Sequence, residues 1–248
     1  MKNILVSQPK PAELEKSPYC ELSKKYNINI DFHKFIKIEG ISAREFRKER
    51  ISILDHTAII LTSRNAVDHF FRISKEMRVE IPDTMKYFCM SESTAFYLQK
   101  YVQYRKRKIF HGKQSFLDLI EIIKKHKDEK YLLPCSDIHK QELPRMLKEL
   151  EIYHKKAIIY RTLASDLSGV EINKYEMLIF FSPAGVKSLF KNFPEFEQNG
   201  TLIAAFGPTT AKAVKDAKLL LNIEAPTKTA PSMTMAIEQY LHKAKKKK

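Results

Sequence analysis

The 248-residue chain is long enough for one large or two small domains with a buried core. With 44% hydrophobic and 29% charged residues it reads as a globular protein, and no apolar run reaches the length of a membrane span. Its net charge of +15 points away from cationic partners and towards polyanions.

In chain order, residues 3–7 form an apolar strand ending at Gln8-Pro9. Residues 13–26 have helical spacing through Leu14, Cys20 and Leu22, with Pro18 delaying or kinking the helix. Residues 28–38 alternate and predict one long strand, followed by a helix or connector over 43–50. From Ala58 the pattern is regular. Strands at 58–62, 86–90, 108–110, 130–136 and 157–162 alternate with amphipathic helices. Further strands follow at 176–181, 202–206 and 219–223, and a final helix runs over 232–241. Such alternation builds parallel sheets covered by helices on both faces. Phe70-Phe71 and Phe180-Phe181 are read as core.

The stretch 202–214, LIAAFGPTTAKAV, is a strand, a Gly207-Pro208 turn and a helix start. Helix starts leave backbone N–H groups unpaired and carry partial positive charge, so an anion is a natural guest. A simpler role for Thr209 is to cap the helix. Comparable turns recur. Residues 58–67 superpose on 177–186 at an offset of 119, 91–95 on 207–211 at 116, and 115–121 on 232–238 at 117. Three ordered matches at nearly one offset imply two related βα domains.

The ends of the chain are expected to pair into one domain, 1–38 with 165–248. Residues 52–160 form an inserted second domain, and the linker crossings at 35–51 and 160–167 pair as a two-stranded ribbon. In such sheets ligands bind beyond the carboxyl ends of the strands. That rule puts Ser7, Thr62, Ser63, Ser91, Ser182 and Thr209-Thr210 on a shared cleft.

Cys20, Cys89 and Cys135 are far apart and form no CxxC pair, which fits reduced thiols and no zinc site. MKNILVSQPK has no signal-peptide core, so the cytoplasm is expected. Five lysines lie in residues 243–248, read as a solvated, frayed end, and the remainder is still basic. The run Arg105-Lys106-Arg107-Lys108 adds to this field. Nucleic acid is not the expected partner, because no zinc finger, aromatic RNA-binding signature or KH-type GxxG loop is present. The eight histidines show no ligand spacing, and His139 and Glu142 read as loop surface.

ILTSRNAV (60–67), AIIYRT (157–162), FFSPAGV (180–186), AAFGPTTAKAV (204–214) and APTKTAPSMTMAIEQYL (225–241) together resemble the uroporphyrinogen-III synthase family. The resemblance implies two flavodoxin-like α/β domains, the first discontinuous, joined by a two-stranded linker. It implies cofactor-free cyclisation of hydroxymethylbilane with loss of water and inversion of ring D, by a monomer needing neither metal nor membrane. Tyr160 stands where it would protonate the leaving hydroxyl. The Ser182-Pro183 and Gly207-Pro208-Thr209-Thr210 turns, with Ser7, Thr62, Ser63 and Ser91, would bind the substrate's carboxylate arms. The family often has glycine where Ser91 stands and arginine where Gln8 stands. Those departures leave open a second reading, a degenerate relative that binds a tetrapyrrole or other polyanion for regulation.

Overall fold

Near-continuous apolar runs such as Ala-Ile-Ile-Leu at 58–61 and Met-Leu-Ile-Phe at 177–180 demand cover on both faces of a strand, and both are wholly buried. The computed structural model describes residues 3–246 except Gln114 and Lys140. It divides into two compact units, Met1–Lys37 with Leu163–Lys248, and Ile38–Thr162.

The chain begins with β1 (Asn3–Val6), α1 (Pro18–Tyr26) and β2 (Asn29–Phe32). It continues through β3 (Ile36–Gly40), α2 (Ala43–Lys48), β4 (Ala58–Leu61), α3 (Arg64–Glu76), β5 (Lys86–Cys89), α4 (Glu92–Leu98) and β6 (Ile109–His111). Then come α5 (Phe116–Ile123), β7 (Tyr131–Ser136), α6 (Glu142–Glu149) and β8 (His154–Ala164). The remainder is β9 (Met177–Phe180), α7 (Pro183–Asn192), β10 (Leu202–Phe206), α8 (Pro208–Asp216), β11 (Leu221–Ala225) and α9 (Met233–Lys246).

One sheet has the order β11-β10-β9-β1-β2, all parallel. Read along the chain this is 2-1-3-4-5, the flavodoxin order. The other sheet has the order β3-β8-β7-β4-β5-β6, with β4 to β8 parallel. The sequence repeat lays β4, β5 and β6 over β9, β10 and β11. The orders then coincide, β6-β5-β4-β7-β8 against β11-β10-β9-β1-β2, with β7 and β8 in the places of β1 and β2. The second sheet is the first one threaded from a different starting strand.

Local chemistry explains several departures from the expected elements. The alternation over 28–38 falls out of step between Phe32 and Phe35, and the chain breaks there into β2 and β3, which join different sheets. Pro18 does not kink α1: Ser17 is the N-cap and Pro18 takes the first helical position, where a missing N–H costs nothing. The basic end is helical through Lys246 as the last turns of α9, while Lys247 and Lys248 lie outside the described residues.

On α3, residues Ala66, Val67, Phe70, Ile73 and Ser74 form the buried stripe, an i, i+1, i+4, i+7, i+8 pattern that faces the second sheet. Ile179 is the counterpart at the centre of the first sheet: it is fully buried and lies on β9, between β10 and β1. Truncating Ile179→Ala should cost about 2–5 kcal/mol through lost burial and a residual cavity. A urea titration showing an unchanged midpoint would refute that packing.

Candidate active site

In a parallel sheet every strand points the same way, so each following helix starts at the same edge. In the first sheet, Ser7 follows β1, Ser182 follows β9 and Gly207 follows β10, on neighbouring strands. Ser7 and Ser182 flank the point where strand order reverses, the usual ligand crevice of such sheets. They also converge: a Cβ built on Gly185 would stand 3.5 Å from Ser182 Oγ and 3.6 Å from Ser7 Oγ. Ser182 caps α7, accepting from the Gly185 N–H at 3.1 Å, and Pro183 occupies the first helical turn.

At α8 the capping residue is Gly207, not Thr209. Gly207 has φ +88° and ψ 148°, a conformation open essentially to glycine alone. Pro208 follows at the first helical position. Thr209 is exposed, and its N–H has no partner among the described residues. Thr210, expected on the rim, is 1% exposed and packs on the buried side of α8, so its hydroxyl is withdrawn from a ligand at this edge.

In the second sheet the order reverses between β4 and β7. A cavity of about 570 Å³ lies at these strand ends, and it gathers Thr62, Ser63 and Tyr160. Its wall is half apolar (Met90, Phe116, Leu133, Ile138) and half polar (Ser115, Ser136, His139, Glu142). His139 and Glu142 therefore line the cavity instead of decorating a loop surface. The strand-end rule applied to β7, whose last residue is Ser136, is the signal that finds them. Ser91, at the end of β5, caps α4: its hydroxyl accepts from the Thr94 N–H at 3.3 Å and lies 3.0 Å from Ser93 Oγ. It is not among the residues lining the cavity.

Tyr160 is 7% exposed, and burial raises its pKa above that of a free phenol. A hydrogen bond with the Ser63 side chain works in the opposite direction, favouring the phenolate. Ser63 also caps α3, accepting from the Ala66 N–H at 3.2 Å.

The helix starts differ in charge. The first turns of α4, α5 and α6 carry Glu92, Asp118 and Glu142, which offset the helix dipole. Those of α3, α7, α8 and α9 carry no acidic residue. Their positive poles have no acidic partner in the first turn, an arrangement that suits an anion. Among the described residues no cluster of His, Cys, Asp or Glu could hold a metal ion, and no helix is long and apolar enough to cross a membrane.

These features define a two-domain α/β protein whose strand edges are suited to an anionic organic ligand. Residues 21–235 match the family model described as uroporphyrinogen-III synthase HemD, and the chain belongs to that family. No curated protein matches the sequence significantly. The fold is shared with uroporphyrinogen-III synthetase from Helicobacter pylori (20% identity, TM-score 0.63, 98% of this chain and 99% of that one). It is shared too with a mutant uroporphyrinogen III synthase from Thermus thermophilus (13% identity, TM-score 0.57, all of both chains). The chain is thus a cyclising lyase of tetrapyrrole biosynthesis, converting hydroxymethylbilane to uroporphyrinogen III.

Two measurements test the local chemistry. Burial pushes the Cys89 thiol up to about 12 and the Cys135 thiol to about 11, so at pH 8 on the order of one molecule in a thousand or fewer carries either thiolate. A disulfide reagent should titrate only Cys20 readily in the folded protein and all three thiols after denaturation. Replacing Gly207→Ala should cost roughly 1–3 kcal/mol from backbone strain alone, since no atom lies within 4 Å of the added methyl. Equal denaturation midpoints for the two proteins would contradict the assigned backbone.

Proposed function

We propose that the acid-free start of α3 binds a carboxylate arm of hydroxymethylbilane, with Tyr160 as the acid of the reaction; the acid-free starts of α7 and α8, taken by themselves in the other unit, suit carboxylates for the same reason. The convergence of Thr62, Ser63 and Tyr160 on one cavity beside the α3 start carries this reading. Each helix start contributes about 0.3–1 kcal/mol where exposed. At the cavity the hydroxyls of Thr62 and Ser63 add hydrogen bonds, and its apolar wall accepts a pyrrole face; Ser7, Ser182 and Thr209 offer hydroxyls at the edge of the first sheet.

Electron-rich pyrrole expels the terminal hydroxyl with little assistance. The Tyr160 phenol gives its proton to the departing oxygen as the C–O bond breaks, and water leaves. The substituted carbon of the last pyrrole attacks the methylene so exposed, and the resulting spiro centre rearranges with that ring turned round. The ring proton finally lost returns to the phenolate, so the cycle consumes nothing and releases one water. Unheld, the linear molecule closes without inversion. The protein's contribution is therefore chiefly positional, the kind of effect that an ångström of misplacement can cost a hundredfold. The chain works as a monomer in the cytoplasm without nucleic acid, consistent with its dispersed free thiols.

Purified protein coupled to a hydroxymethylbilane source should yield the type III isomer; type I alone would reject the reading. Tyr160→Phe should lower kcat by about a hundredfold, the low end for a general acid, because a phenol gives up its proton reluctantly. As the Tyr160 pKa is raised, the phenol stays protonated across neutral pH, and its ionisation should leave kcat flat between pH 6 and 9. A rate step in that window that vanishes in Tyr160→Phe would contradict the raised pKa of the phenol.

A further inference from the structure

Behind Tyr160 stands a group with no part in the chemistry just described. The imidazole of His69, on α3, lies almost flat against the phenol ring, with centroids 5.0 Å apart and planes at 23°. Its orientation is fixed from the far side. Arg72, one turn along the helix, donates from Nε to His69 Nδ1 at 3.1 Å. The same guanidinium donates from Nη2 to the Ile159 carbonyl at 3.0 Å and from Nη1 to Glu76. Arg72 thus ties the imidazole to the strand residue next to Tyr160 itself. With Nδ1 accepting, the ring is the neutral tautomer protonated at Nε2.

The guanidinium fits there because position 40 is glycine. A Cβ at Gly40 would stand 2.5–2.6 Å from its Cζ, Nε and Nη2 atoms. The backbone at Gly40 is not in the left-handed region, so the glycine provides room, not conformational freedom. Gly40, His69 and Ile159, on three different elements, thus converge on one guanidinium, and that guanidinium holds the imidazole. A core tyrosine needs no such arrangement; an acid that must meet a departing oxygen at a set distance benefits from one.

We infer that His69 is a positioning residue for Tyr160: locked by Arg72, its imidazole is the plate that sets the plane of the phenol at the cavity. This rests on Tyr160 acting as the acid. The test is steady-state kinetics on the full chain with isomer-resolved product. His69→Ala should lower kcat roughly tenfold with KM little changed, while His69→Phe, which keeps a ring in the stack, should recover most of the loss. Gly40→Ala, which touches neither ring and displaces only the end of a flexible side chain, should reduce kcat in the same direction. In a Tyr160→Phe background, His69→Ala should add no further loss, because the group it positions is already gone. If Tyr160→Phe alone matches the natural chain, the acid assignment fails and His69 falls with it. If Tyr160→Phe is slow but His69→Ala is as fast as the natural chain, or equally damaging in both backgrounds, only the role of His69 is overturned.

Discussion

Parallel strand pairing is the constraint on which the rest of the protein depends. A parallel neighbour can be reached only by a crossover, and the crossovers here are helices, so successive helix starts assemble along one sheet edge. Each start presents unpaired N–H groups and a partial positive charge. Elsewhere in the protein an acidic side chain in the first turn answers that charge. At α3, α7, α8 and α9 none does, and the polarity there is set by the backbone and the cap alone. A carboxylate suits any one of these helix starts.

The same constraint separates the two edges' workloads from the core's. Ile59, Ile60, Ile179 and their neighbours are buried on both faces and carry stability. The residues one or two positions further along, Thr62, Ser63, Ser182 and Gly207, face a different requirement: closing a helix cleanly while leaving polar groups available. Ser63 meets both, holding the Ala66 N–H while lining the cavity with Tyr160.

Much of this was legible in the sequence, because local physics decides it. The doubly covered strands announce themselves as unbroken apolar runs, and Ser63, Ser91 and Ser182 sit where caps belong. The repeat between 58–67 and 177–186 lies in corresponding strand-helix units of the two sheets. Other features were illegible for identifiable reasons. The break at 33–35 is a single step out of phase, too small to register as a boundary. At α8, Pro208 in the first helical position marks Gly207 as the cap and turns Thr210 inward, a cue that the two threonines obscure. His139 and Glu142 reach the cavity only through the pairing of β7 with β4, and His69 meets Tyr160 across 91 positions of sequence. Side-chain neighbours brought together by sheet order cannot be found from spacing.

The threading of the second sheet also bears on synthesis. Residues 38–162 contain β4 to β7 and most of β8, so the pairing among these strands can be completed before β9 is made. The first 37 residues cannot complete theirs: β1 sits between β2 and β9, and β9 begins at Met177. The amino-terminal strand-helix-strand unit is thus a deferred partner, the open edge of β1 awaiting a segment made more than a hundred codons later.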